Sequence, residues 1–124
     1  MRLPDFDTTI NLDVEGEVTK TKWLGQFTIK RVLTHKDRFE IERFFREYLP
    51  MGMEADQNLR TRAAALAELR VRIKHAPRWW EDSNYGLDMV DSEPIYYLLI
   101  KSSESYKKWQ DELAEMIKEP PKAE

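Results

Sequence analysis

The chain has 124 residues, 41% of them hydrophobic and 35% charged, with a formal net charge of -3; that is material for one modest core and too apolar for a disordered chain. It contains no cysteine, which excludes disulfide frameworks, thiolate zinc sites and cysteine nucleophiles. Charge near balance leaves the whole molecule without the net field that draws proteins to nucleic acid or anionic membranes.

Met1-Arg2-Leu3-Pro4-Asp5 lacks the apolar region of a secretory signal. No stretch reaches the roughly 18 unbroken apolar residues of a membrane span. The expectation is a soluble protein that stays where it is made. Ile10, Leu12 and Val14 alternate with Asn11 and Asp13, the period of a strand with one buried face. Glu15-Gly16-Glu17 reads as a turn, with Gly16 free to take positive φ. Lys22 to Lys30 forms a second extended run in which Phe27 and Ile29 share a face, and Gly25 inside it points to a bulge, a bend or a second hairpin. A β-hairpin over about 8–32 follows, and it needs helices or a partner to lie against.

Thr34 and Asp37 read as a capping box for a helix from about His35 to Leu49. Its apolar stripe is Ile41, Phe44, Phe45 and Tyr48, and Pro50 and Gly52 end it. A second helix is expected from about Ala55 to Ala76, with Leu59, Leu66, Leu69 and Ile73 as its stripe and Pro77 as its stop. Alanines 63, 65 and 67 permit close helix approach. The third helix opens at Asp91-Ser92-Glu93-Pro94 and runs over about 92–118. Ile95, Leu99, Ser102, Tyr106, Trp109, Leu113 and Met116 give it a heptad-like seam. Residues 1–118 thus read as one α+β domain, mostly α, and 119–124 as a frayed tail.

Candidate chemistry is sparse. His35 and His75 have no partner at metal-ligand spacing, and a helix C-terminus accounts for His75 by its dipole. Asp82, Asn84, Asp88 and Glu93 fall at positions one, three, seven and twelve of an EF-hand loop, but Gly86 and Leu87 stand at five and six, where a ligand and the turn glycine belong. The alternative is a surface loop whose acids cap the last helix. Arg60, Arg62, Arg70, Arg72, Lys74 and Arg78 face the single acid Glu68, while the segment from Glu81 onward has eleven acids and five lysines. That asymmetry is one mark of a nucleic-acid face, but no clamp or stacking signature accompanies it. Solvated or intramolecular charge accounts for it more simply. No nucleophile triad, phosphate loop or dinucleotide fingerprint is present, so the expectation is a non-catalytic protein without cofactor or metal.

Trp79-Trp80 reads as a core plug at the end of the second helix, with one indole free to anchor a partner if the two point apart. The candidate partner-binding residues are Phe27, Trp79, Trp80, Tyr96, Tyr106 and Trp109, chosen because aromatics dominate interfaces; the same choice serves a core.

One ordered set of residues resembles a known family. Leu24-Gly25-Gln26-Phe27-Thr28-Ile29-Lys30 and Val32-Leu33-Thr34 precede a charged helix, Lys36-Asp37-Arg38-Phe39-Glu40-Ile41-Glu42-Arg43. An alanine-rich helix from Ala63 to Ile73 follows, then Ala76-Pro77-Arg78-Trp79-Trp80-Glu81-Asp82-Ser83 and Gly86-Leu87-Asp88-Met89-Val90-Asp91. This resembles the small tail assembly chaperones of long-tailed bacteriophages and related prophages, over about Trp23 to Trp109. The resemblance implies a mostly α protein of the host cytoplasm that coats the tape-measure protein before tail tube protein polymerises around it. It implies no catalytic residues. Self-association along such a client is a further expectation. The alternatives are a virion structural or accessory protein of tail, neck or capsid, and a basic-faced nucleic-acid binder.

Overall fold

A computed structural model describes residues 2–50 and 56–118. The elements run β1 Asp7–Glu15, β2 Lys22–Lys30, α1 His35–Tyr48, α2 Gln57–Arg72, β3 Ile73–His75, α3 Arg78–Asp82 and α4 Glu93–Lys118. The fold is α+β and mostly α, as the patterning indicates: a three-stranded antiparallel sheet in the order β1-β2-β3, with helices laid on one face.

The period-two pattern does what it should. β1 and β2 pair in an unbroken register from Asp7↔Lys30 to Glu15↔Lys22, which turns Ile10, Leu12, Phe27 and Ile29 to one face. That face is closed by Leu69 of α2, Trp80 of α3 and Leu98 of α4. Phe27, Ile29, Leu69 and Leu98 are wholly buried, and burying such side chains stabilises by about 1.5–3 kcal/mol each. Asn11 and Asp13, on the other face, remain exposed.

Gly25 is not a bulge. Its pairing with Leu12 is regular, but it has φ of +153°, and a Cβ there would lie 2.0 Å from Pro77 Cγ. The glycine lets the proline seat directly on the strand. The sheet's irregularity lies instead between Thr28 and Ile29, where β3 joins. Gly16 likewise departs from expectation: the positive φ of the hairpin turn is carried by Lys20, at 61°.

The second helix is shorter than its apolar stripe implies. It ends at Arg72, and residues 73–75 form β3, paired with β2 through Ile73↔Ile29 and His75↔Thr28. Two effects stop it, one local and one distant in the chain. Pro77 biases the residue before it toward extended backbone, and the outer edge of β2 offers ladder bonds that one more helical turn would forgo. Arg72, buried at the junction, donates from its Nη1 to Lys30 O at 2.8 Å and from its Nε to Glu68 at 3.0 Å. His75 accordingly sits in a strand and not at a helix end. The start near Ala55, the stop signal at Gly52 and the tail 119–124 lie outside the described residues.

α1 begins as the sequence indicates. Thr34 Oγ1 accepts from Asp37 N at 3.2 Å while the Asp37 carboxylate accepts from Thr34 N at 2.9 Å. Burial alone would push the Asp37 carboxyl up, but the Lys30 ammonium at 2.7 Å and the Thr34 N–H hold it below its usual value. α1 packs along α2, and its first turn is tied to β2 by the Lys30–Asp37 pair. The Arg70 guanidinium lies between the rings of Phe44, at 4.8 Å, and Tyr85, at 3.4 Å, tying α1 to the segment after α3 through cation–π contacts.

α4 departs from an even heptad seam. Its buried residues are Pro94, Leu98, Ser102 and Trp109, so the first half turns by one residue to seat Leu98, with Ile95 and Leu99 at the core's margin. Ser102, fully buried, satisfies its hydroxyl by donating to Leu98 O at 2.7 Å. Tyr106 and Met116, both counted in the seam, are 37% exposed.

Candidate functional site

The six aromatic candidates divide between core and surface. Phe27 and Trp80 are spent inside the molecule. Trp80 meets Phe27 edge-on, with centroids 6.1 Å apart, and Trp79 meets Phe27 at 5.6 Å and Trp23 at 4.8 Å. The adjacent indoles of Trp79 and Trp80 pack edge-on against each other with centroids 6.2 Å apart; Trp80 enters the core, while Trp79 covers β2, donating from its Nε1 to Leu24 O at 2.8 Å. Trp109 is 9% exposed. Its Nε1 donates to Pro4 O at 3.1 Å, and Phe6 packs edge-on against it, which pins the N-terminal strand entry to the far half of α4. Tyr106 stacks on Trp109 at 6.1 Å. Tyr96 and Tyr106 keep large exposed surfaces, but ten residues of helix, roughly 15 Å, separate them.

Tyr96 belongs to an apolar opening of the surface. α2, the 86–92 segment and the first turn of α4 enclose a groove of about 210 Å³. Helical spacing brings Leu59, Arg62 and Leu66 to one face of α2. Opposite them stand Leu87 and Val90 from the loop, and Ile95 and Tyr96 from α4. Leu59, Leu87, Val90 and Tyr96 are 45%, 38%, 65% and 47% exposed. Four large apolar side chains from three separate segments thus meet at one open site, which singly scattered surface hydrophobes do not do.

The local sequence builds this wall firmly. Asn84, Tyr85 and Gly86 take positive φ in succession, at 55°, 55° and 88°, and reverse the chain after α3. A Cβ on Gly86 would meet Trp80 at 2.9 Å and Leu66 at 3.0 Å, so the missing side chain lets the loop close onto the core. The Asp91 carboxylate, almost fully buried, then locks the loop to the β1–β2 turn. It accepts from the Thr19 hydroxyl, from Thr19 N at 3.1 Å, from Val18 N at 3.0 Å and from Trp23 Nε1 at 3.0 Å. The Thr19 hydroxyl above all, with the Trp23 indole and two backbone N–H groups, lowers the Asp91 pKa to about 2. Glu93 accepts from Glu17 N at 2.8 Å. These acids therefore reach across to the hairpin rather than capping their own helix.

The basic run is largely engaged within the fold. Arg70 stacks between two rings, Arg72 is buried, Lys74 pairs with Asp7 at 2.6 Å and Arg78 approaches Asp82 at 3.9 Å. Arg62 is left at the rim of the apolar groove. Among the described residues no cluster of three or more His, Asp or Glu has the arrangement of a metal site, and no helix is long and apolar enough to cross a membrane.

The sequence pattern does not mark this groove: Leu59 falls on a helical core stripe, Leu87 and Val90 fall in a loop, and Tyr96 alone of the four stands among the aromatic candidates. The available signal was three apolar residues, Leu87, Met89 and Val90, in a short loop with no strand or helix period to bury them. No protein-family model, curated protein or solved structure matches the chain.

Proposed function

We propose that the protein acts by holding another polypeptide: it is a phage tail assembly chaperone whose α2–α4 groove receives an apolar helical segment of the tape-measure protein in the host cytoplasm. One observation carries the reading: Leu59, Leu87, Val90 and Tyr96 stand exposed around a single preformed groove between two helices. Such a groove suits a helix presenting anchors at i, i+3, i+4 and i+7. Its wall is stapled to the core through Gly86 and Asp91, so little ordering is required on binding, which favours affinity. The resemblance of the Trp23–Trp109 stretch to small tail assembly chaperones supplies the identity of the client.

The test is co-expression with the tape-measure protein encoded nearby, followed by mass spectrometry of purified particles. Client capture together with absence from mature particles supports the chaperone. Presence in particles at fixed copy number overturns it in favour of a structural component of tail, neck or capsid.

A further inference from the structure

Among the described residues the sheet leaves one long edge unpaired, and that edge runs beside a trench. The β1–β2 ladder is bracketed by Gly16 N donating to Thr21 O at 2.8 Å and Arg31 N donating to Phe6 O at 2.7 Å. With the register between them, the even-numbered residues of β1 bond to β2, and the N–H and C=O groups of Asp7, Thr9, Asn11, Asp13 and Glu15 point away from it. Among the described residues only the Tyr97 hydroxyl meets these groups, 3.5 Å from Asn11 O. α4 overhangs the strand there. Thr9, Ile10 and Asn11 form one side of a trench of about 320 Å³, and Tyr97, Lys101, Glu104, Ser105 and Lys108 form the other.

We infer that β1 takes up an extended segment of a partner polypeptide by strand addition, and that this segment carries Lys or Arg at alternate positions. An open edge beside a helix supplies main-chain bonds from the strand and side-chain selection from the helix. Charge decides the occupant. The outward face of β1 carries Asp7, Asp13 and Glu15; Asp7 and Asp13 are partly neutralised by Lys74 and Lys22, and Glu15 makes no ion pair among the described residues. A second copy of β1, antiparallel about Asn11, would set Asp7 against Glu15 twice, and like charges directly opposite destabilise a strand pair. A strand with cations on that face gains the same positions as attractions, while its other face meets Tyr97, Ser105 and Lys108 on α4 beside the Lys101–Glu104 pair, and takes small polar residues. This site is separate from the α2–α4 groove and stands whether or not the chaperone reading holds.

The probe is a synthetic nonapeptide in which lysine alternates with threonine and valine, titrated into the full chain labelled with ¹⁵N. The expected result is chemical-shift change and at least tenfold slower hydrogen exchange confined to the amides of Thr9, Asn11 and Asp13, weakening with salt. A peptide of the same composition with its lysines grouped at one end should bind at least tenfold more weakly, and so should the alternating peptide with N-methyl groups on one edge. Asn11→Pro removes an outward N–H at an edge position that tolerates proline, and Glu15→Lys reverses the charge; each should weaken binding at least fivefold. Shifts centred elsewhere, or equal binding of the N-methylated peptide, overturn the inference. Protection of the same amides by concentration alone, without peptide, overturns it in favour of a second copy.

Discussion

The carboxylate of Asp91 occupies the space where a side chain on Gly16 would stand. A Cβ built on Gly16 would lie 1.9 Å from Asp91 Oδ2, although the two residues are 75 positions apart. The β1–β2 turn closes around this carboxylate, which takes hydrogen bonds from Val18, Thr19 and Trp23. Gly16→Ala should therefore destabilise the fold by about 1–3 kcal/mol, the usual cost of forcing extra atoms into a filled site. In an Asp91→Ala background the same change should cost little. A double-mutant cycle by urea denaturation reads the coupling.

The latch also fixes an acid response. Asp91 titrates at about 2 in the folded chain, against about 3.9 for an unfolded aspartate. The unfolded chain binds the proton more readily between those values, so the contribution of Asp91 is complete above about pH 4 and is lost as pH falls toward 2. Asp91→Asn should flatten the stability profile between pH 4 and 2 and lower the plateau above it. Denaturation midpoints at half-unit pH steps check both.

How much of this was legible follows from the range of each interaction. The hairpin, the Thr34–Asp37 box and the α1 boundaries rest on residues within a few positions of one another, and the sequence pattern finds them. The end of α2 was misread because Ile73 continues the stripe of Leu66 and Leu69 at helical spacing; what overrides it is the unpaired edge of β2, which is some 45 residues away in the chain. The buried role of Asp91 was hidden for the same reason: Asp-Ser-Glu-Pro reads as a helix cap, and the hairpin that claims the carboxylates lies about 70 residues upstream. The aromatic candidates were chosen by residue type, a criterion that does not separate Trp80 from Tyr96. The groove needed the three positive-φ residues at 84–86, of which only glycine signals itself in a sequence.

Arg70 should prove irreplaceable by lysine. Its planar guanidinium fills the gap between Phe44 and Tyr85, and an ammonium neither stacks nor spans two rings in this way. Arg70→Lys should cost about 0.5–2 kcal/mol. Faster amide exchange in α1 than in α4 should accompany it, because α1 contributes no residue to the buried core cluster while α4 contributes Leu98. Native-state hydrogen exchange resolves the two helices.

Core and groove side chains should separate on substitution. Trp80→Ala removes a side chain 2% exposed that meets Phe27 and Trp79, and should cost about 3–5 kcal/mol. Val90→Asp changes a side chain 65% exposed and should stay within about 0.5 kcal/mol of the parent. Thermal and urea unfolding of the two variants, side by side, make the comparison.

The most direct test of the account is capture of co-expressed tape-measure protein by the parent chain and by a folded Val90→Asp/Tyr96→Asp double variant. The account predicts capture by the parent and at least a tenfold loss in the variant, whose melting temperature stays near that of the parent. Equal capture by both would contradict the assignment of the α2–α4 groove as the client site.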